Sequence, residues 1–177
     1  MKNLFIRQET EKDHSQVYEL IRLAFQHEPH SDQQEHHLVE RLRKSEAYVP
    51  ELSLVAERDD QLVGHILLTK IKVVYQKDKH LSLALAPVSV LPSFRNRGIG
   101  GALINEAHAV ARQLGFSSVI LLGHADYYPR FGYRPANQFN IRLPFEVPYE
   151  NCMAIELKEN ALTDVKGMVE YPKAFFE

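Results

Sequence analysis

The run Arg95-Asn96-Arg97-Gly98-Ile99-Gly100-Gly101 is the stretch of this sequence best suited to chemistry. It follows an apolar segment, Leu81–Leu91, and leads into Ile99, Leu103, Ala107, Val110 and Leu114, which recur at helical intervals. A strand that turns straight into a helix presents the helix's first backbone N–H groups, which have no internal partner and carry the positive end of the helix dipole. Such an end binds phosphate. Glycine removes the Cβ atoms that would hold a phosphate off the backbone, and Arg95 and Arg97 add positive charge. Two well-known phosphate loops fail on spacing. A Walker loop needs Gly-Lys-Ser/Thr after its second glycine, and none is present. The dinucleotide fingerprint needs a third glycine where Leu103 stands and an acidic residue where Leu122-Gly123 ends the next strand. What remains is Arg-x-x-Gly-x-Gly after an apolar strand.

The elements that must position this turn are legible from apolar periodicity. Leu4-Phe5-Ile6 opens a strand. Thr10 and Asp13 have the spacing of a capping box, and Val17, Leu20, Ile21, Ala24 and Phe25 then repeat as a helix. Asp32 is placed to cap a second helix with Leu38, Val39 and Leu42 on its apolar face. Leu52, Leu54 and Ala56 alternate as a strand, Asp59-Asp60 makes a tight turn, and a second strand runs from Leu62 to Tyr75. Leu81–Leu91 has the near-continuous apolar character of a central strand, and Pro87 must break or bulge its ladder. Gly115 ends the helix after the turn. Val119–Leu122 is a further buried strand, followed by a short helix near Asp126–Phe131 and strands near Phe139–Leu143 and Met153–Leu157. This order predicts a mixed α/β fold with a twisted sheet and helices on both faces, rather than a doubly wound one.

At 177 residues, with 45% hydrophobic and 25% charged side chains, the chain suits a single domain, 1–177. A net charge of −2 argues against a nucleic-acid binder, as does a pI near 6.5. The one cysteine, Cys152, reads as a small core residue in a reducing compartment. No apolar run has the length of a membrane span, so no membrane partner and a cytoplasmic setting are expected.

Arg95-Asn-Arg-Gly98-Ile-Gly100 resembles the Q/R-x-x-G-x-G/A signature of the GNAT superfamily of N-acetyltransferases. Tyr127-Tyr128-Pro-Arg-Phe131-Gly132-Tyr133 resembles the Y-x-x-x-G-F/Y segment after that superfamily's fifth strand. Its wording is similar to a bacterial YhbS-like branch. The likeness spans about residues 4–157 in element order, leaving 158–177 as a tail. The resemblance implies acetyl-CoA as co-substrate, no metal, and an acetyl group passed to a primary amine by direct attack in a ternary complex. It implies that Arg95, Asn96, Arg97, Gly98, Ile99, Gly100 and Gly101 hold the pyrophosphate, and that Val88, Ser89 and Val90 pair with the pantetheine arm through their backbone. It further implies that the Val90 N–H polarises the acetyl carbonyl, with Phe131 and Arg130 near the cofactor. Tyr128 matches the tyrosine that protonates the leaving thiolate. A free phenol (pKa about 10) is still protonated where a free thiol (about 8.5) begins to ionise. Tyr127 takes that role if the register shifts by one.

The base is less defined. Glu57 ends a strand but suits a solvent-facing position, and His124 and Asp126 follow the fifth strand near the expected cleft. His27, Glu28, His30, Asp32, Glu35, His36 and His37 gather around the first two helices. They read either as an acidic pocket for a cationic amine or as a solvated surface. His36 and His37, being adjacent, are not expected to share a helical face. The acceptor is a small-molecule or protein amine, and the protein a monomer or homodimer. The aromatics Tyr171, Phe175 and Phe176 suit docking on the domain or on a second subunit. An alternative is a non-catalytic acyl-CoA-binding or sensor domain of the same fold. A nucleotide-binding regulator is a third, disfavoured by the missing Walker lysine.

Overall fold

A computed structural model describes residues 3–177. Asn3 apart, the N-terminal region is β1 (Leu4–Gln8), then α1 (His14–Phe25) and α2 (Glu35–Arg43). The Thr10–Asp13 capping box forms, on a 3-10 turn that runs into α1. Asp32 does not cap α2. Gln34 occupies that position, and the Asp32 carboxylate accepts a hydrogen bond from its N–H at 3.0 Å. Short polar side chains bond so readily to the backbone two residues on that Asp32 makes a turn before the helix begins.

The sheet is built around a long hairpin. Strands β2 (Ser53–Arg58), β3 (Gln61–Tyr75) and β4 (Asp78–Val90) run antiparallel in succession, and β1 edges β2. Asp59 and Asp60 both take positive φ, as a two-residue turn with the twist of its flanking strands requires. After β4 come α3 (Ile99–Gln113) and β5 (Ser118–Leu122), then β6 (Arg134–Pro135), β7 (Ile141–Arg142), β8 (Cys152–Glu156) and β9 (Gly167–Glu170). The sheet order is β1-β2-β3-β4-β5-β8-β6, with β9 on β3 and β7 on β9. Among the described residues, only β4–β5 and β7–β9 are parallel.

Helices cover both faces. Under α3 lie Leu54, Ala56, Ile66, Leu68, Leu83, Val119 and Leu121 with Ile99, Leu103 and Ala107. Under α1 and α2 lie Val55, Leu62 and Leu67 with Val17, Ile21, Val39 and Leu42. Cys152 belongs to a third apolar cluster on this second face, beyond the reach of those helices, and burial raises its thiol to about 11.

Three expectations change. The strand placed at Phe139–Leu143 is a 3-10 turn, Ala136–Phe139, followed by the two-residue β7. The short helix at Asp126–Phe131 is a 3-10 turn, Tyr128–Phe131. The tail supplies β9, which pairs with Lys72–Val74 of β3. Tyr171 and Phe175 pack on the third cluster, Ala174 is buried under α2, and the Arg41 Nε donates to the Ala174 carbonyl at 2.9 Å.

The return to β9 depends on Gly167. Its φ is +127°, and a Cβ there would sit 2.1 Å from the Val74 carbonyl oxygen. Gly115 also has positive φ (+91°), but a Cβ there meets open space. Gly167→Ala is expected to cost more than ~2 kcal/mol in urea unfolding, against ~1 kcal/mol for Gly115→Ala. Equal losses would show that the β3–β9 junction is not closely packed.

Candidate active site

The glycine turn enters α3 through Asn96 (φ 61°) and Gly98 (φ 79°), both left-handed. Gly98 is the N-cap and no side chain caps the helix. Its carbonyl accepts from Ala102 at 3.0 Å, so the N–H groups of Ile99, Gly100 and Gly101 precede the first internal bond. This is an anion-binding end, of the kind worth ~0.3–2 kcal/mol per charge placed on it. The chain's own aromatics approach it closely. A Cβ on Gly100 would lie 3.1 Å from the Tyr127 hydroxyl, and one on Gly101 would lie 3.3 Å from the Phe131 ring. The glycines therefore admit the second motif against the helix, a use that spacing alone did not reveal.

The two arginines part company. Arg97 is exposed, its guanidinium 5.3 Å from the centre of the Phe94 ring. Arg95 turns the other way and donates to the Ala24 carbonyl at the end of α1. That carbonyl lies in a last helical turn lacking internal donors, which a cation satisfies well. Arg95 thus ties the turn to α1 rather than adding its charge to the helix end.

Beside the turn the sheet splits. β5 follows β4 only at Leu83↔Val119 and Ala84↔Ile120. Among the described residues, no strand lies beside the β4 edge from Leu85 to Val90. Pro87 marks the change. The β3–β4 register slips between Ile66 and Leu68, so one more residue sits on β4 than on β3. Leu91 donates to the Val63 carbonyl at 2.9 Å. In an antiparallel ladder the residues that bond to the partner alternate with those that face away. Val88 and Val90 therefore turn their N–H and C=O groups to the open edge. Ser89 does not. It stands opposite His65, with its backbone toward β3 and its side chain buried on the α1 face. Its expected place among the cofactor contacts is withdrawn.

Tyr128 lies at the end of β5, where its ring packs on Gly123 so closely that a Cβ there would be 2.5 Å away. It stands edge-on to Tyr127 and to Tyr133. Among the described residues its hydroxyl has no hydrogen-bond partner. Burial, with help from Tyr127, raises its pKa, so it holds its proton at neutral pH. Tyr127 is half-buried and lies under Arg130, whose guanidinium is 4.7 Å from its ring centre. Tyr133 donates to or accepts from His108 of α3 at 2.8 Å, which fastens the second motif to the helix.

The expected acceptor residues divide. His124 and Glu28 approach one another at 3.9 Å, bringing the loop after α1 to the loop after β5. His27 and Asp126 are exposed nearby in sequence, without a bond to that pair. Glu57 is excluded. It pairs with Arg7 at 3.1 Å, Arg7 also binds Asp13 at 2.7 Å, and β3 separates β2 from β4. His36 and His37 do meet, with ring centres 4.2 Å apart beside Tyr18. Side chains on adjacent helical positions diverge at Cβ, but flat rings long enough to fold back on a shared tyrosine close that gap. No cluster of metal-ligating side chains exists among the described residues.

A helix end bare of caps, beside a strand edge bare of its neighbour, defines a protein that takes an acyl-CoA. Comparison with known proteins agrees. The acetyltransferase (GNAT) domain matches residues 5–136. The uncharacterized N-acetyltransferase YjhQ of Escherichia coli K12 is 36% identical over 140 residues, 78% of this chain and 75% of that one. The crystal structure of the Escherichia coli GNAT family N-acetyltransferase YhbS in complex with CoA superposes with a TM-score of 0.88 at 26% identity, covering 99% of this chain and 93% of that one. A GNAT family acetyltransferase from Brucella melitensis in complex with acetyl-CoA gives 0.80 at 31% identity, covering 99% of both chains. The chain belongs to the GNAT acetyltransferase family, whose members are acetyl-CoA-dependent N-acetyltransferases.

His108 makes the site's anchoring pH-sensitive. Burial, with the Arg112 charge, depresses it from 6.5 to about 4. The unfolded chain takes up this proton below about 6.5, and the folded chain only near 4. Stability held above pH 6.5 is therefore lost as pH falls toward 4, by at most ~3 kcal/mol. Urea unfolding between pH 7 and 4 should show this slope, and His108→Gln should remove it. A slope unchanged in the variant would mean another group carries it.

Proposed function

We propose that this protein transfers an acetyl group from acetyl-CoA to a primary amine by direct attack in a ternary complex. The observation that carries the reading is the pair of unsatisfied backbone surfaces side by side. The Ile99, Gly100 and Gly101 N–H groups suit a pyrophosphate, and the open β4 edge at Val88 and Val90 suits an extended amide-bearing arm. Two relatives of known structure, one with CoA and one with acetyl-CoA, support the choice of donor.

In this reading the Val90 N–H stabilises negative charge on the carbonyl oxygen as the amine adds. Tyr128 donates its proton to the departing sulfur. Its raised pKa suits an acid that must remain protonated until a thiolate forms. Tyr127, with its hydroxyl beside Gly100, and Phe131, beside Gly101, line the approach to the turn. Glu28 and His124 stand at the acceptor side, where a carboxylate favours a cationic amine. The acceptor is a small-molecule or protein amine.

Calorimetric titration with acetyl-CoA, using ATP and NAD as controls, tests the donor. Selective binding, lost in Gly100→Val, is expected. Turnover of acetyl-CoA across a panel of primary amines then tests the acid. Tyr128→Phe should lower kcat about 10²-fold with acetyl-CoA affinity retained, and Tyr127→Phe should change kcat less. The reverse order would transfer the acid role to Tyr127. Binding without turnover of any amine would favour the non-catalytic acyl-CoA sensor.

A further inference from the structure

The donor surfaces described above lie toward one side of the sheet. Val88, Val90, Tyr127, Tyr128 and Phe131 all pack on the cluster under α3. An amine that attacks in a ternary complex must then reach the split from the other side. The floor on that side follows from the register. Leu122 ends β5 just where β4 departs, and it pairs with Cys152, the first residue of β8. Paired residues point to the same face, and Cys152 belongs to the cluster on the second face. There Leu122 is 49% exposed, while Cys152 is buried. Cys152 in turn lines a cavity of about 530 Å³. With strands ~4.8 Å apart, Cys152 lies two strands, roughly 10 Å, from the free edge of β4.

The cavity's wall has a cause in the sequence. From Ile141 to Tyr149, apolar residues alternate with Arg142, Pro144, Glu146 and Pro148. That is the period of a strand. Pro144 and Pro148 have no N–H to give to a ladder, and β7 ends at Arg142. Leu143, Phe145, Val147 and Tyr149 therefore line the cavity rather than a sheet. The tail holds this wall in place. Tyr171 stacks on Phe145 with ring centres 6.1 Å apart, and Phe175 packs on Tyr171 at 4.9 Å.

Resting on the acetyltransferase reading, we propose that this cavity seats the body of the acceptor, and that the acceptor is a small amine on an apolar, ring-sized body, such as an arylalkylamine. Volume, lining and charge agree. Cavities of ~300–1,000 Å³ with mostly apolar walls and few polar groups suit small ligands. Among the described residues, the two charges on the wall, Arg142 and Glu146, are of opposite sign. The cavity thus has no acidic excess to draw a polyamine. The way from the cavity to the split crosses the exposed Leu122, so the link between ring and amine is a short alkyl chain. Two residues beyond Leu122 stands His124, 3.9 Å from Glu28, whose carboxylate meets the ammonium.

Phe145 and Tyr149 are the residues that select the amine. They are 43% and 65% exposed, beside a cavity that is itself apolar. Such a contiguous surface is costly to leave in water, and a ligand's ring covers it. The contact is the same before and during attack on the thioester, so it lowers KM and leaves kcat alone. Phe145 and Tyr149 take no part in the proton transfers.

Calorimetric titration of the protein–CoA complex compares phenylethylamine with spermidine and with a peptide bearing a free N-terminus. Phenylethylamine should bind at least ~10-fold more tightly than either. Steady-state turnover with acetyl-CoA then separates the cavity from the chemistry. Phe145→Ala, a truncation at a partly exposed position, should raise the KM for phenylethylamine ~10-fold with kcat retained. Ethylamine, which has no body to seat, should be unaffected. Val147→Trp, which fills the cavity, should act in the same direction and more strongly. A preference for spermidine or the peptide, an unchanged KM in both variants, or an equal loss for ethylamine would overturn the proposal. So would a Val147→Trp variant that loses octanoyl-CoA as donor but keeps phenylethylamine, since the cavity would then hold the acyl chain. Failure of the wild type to bind CoA in the same calorimeter would instead defeat the acetyltransferase reading itself.

Discussion

The architecture turns on one incomplete ladder. β4 and β5 keep company for two residue pairs and then separate, leaving β4 with backbone groups that no strand satisfies. Buried main-chain polar groups must find partners, so a sheet that opens in this way is stable only if solvent or a ligand enters the opening. Everything around it serves that opening. The bulge at Pro87 adjusts the strand just before its free edge begins, α3 brings unpaired N–H groups to its mouth, and the Tyr128–Phe131 turn packs against that helix end. The helices α1 and α2 close the opposite face, with Arg95 tied to the last carbonyls of α1.

Much of this was legible from residue order. Apolar alternation gave β2 and β3, a near-continuous apolar run gave β4, and 3.6-residue spacing gave all three helices. Pro87 announced a bulge because a missing N–H has one consequence wherever it falls. The glycine turn declared itself as an anion site through residue type alone. What escaped was set by distance in the fold rather than along the chain. β9 is four residues long and has a weak pattern, and it exists because Val73 and its neighbours on β3 need cover. Likewise Arg95 looked like a cofactor residue because it lies three positions before Gly98. Nothing in that spacing says that the α1 carbonyl end is nearer. Glu57 had the right type at a strand end, yet Arg7, distant in sequence and paired with Asp13 as well, claims it.

The two motifs that carry the family likeness are one structural object. Gly100 and Gly101 are small because Tyr127 and Phe131 occupy the space beside them. Tyr133 is held by His108 from the same helix. The phosphate-facing end of α3 and the tyrosine at the end of β5 are thus positioned by a single contact surface, and a change in either motif is felt by the other.

The residues after Leu157 have a consequence for handling the protein. Because β9 lies on the far half of β3, it occupies what would otherwise be a free sheet border. Removing it would uncover Ile71 and Val73 together with a row of unpaired main-chain groups, a template on which a second chain can pair. A shortened chain ending where the family resemblance ends would keep the site residues and lose its protection against edge-to-edge aggregation.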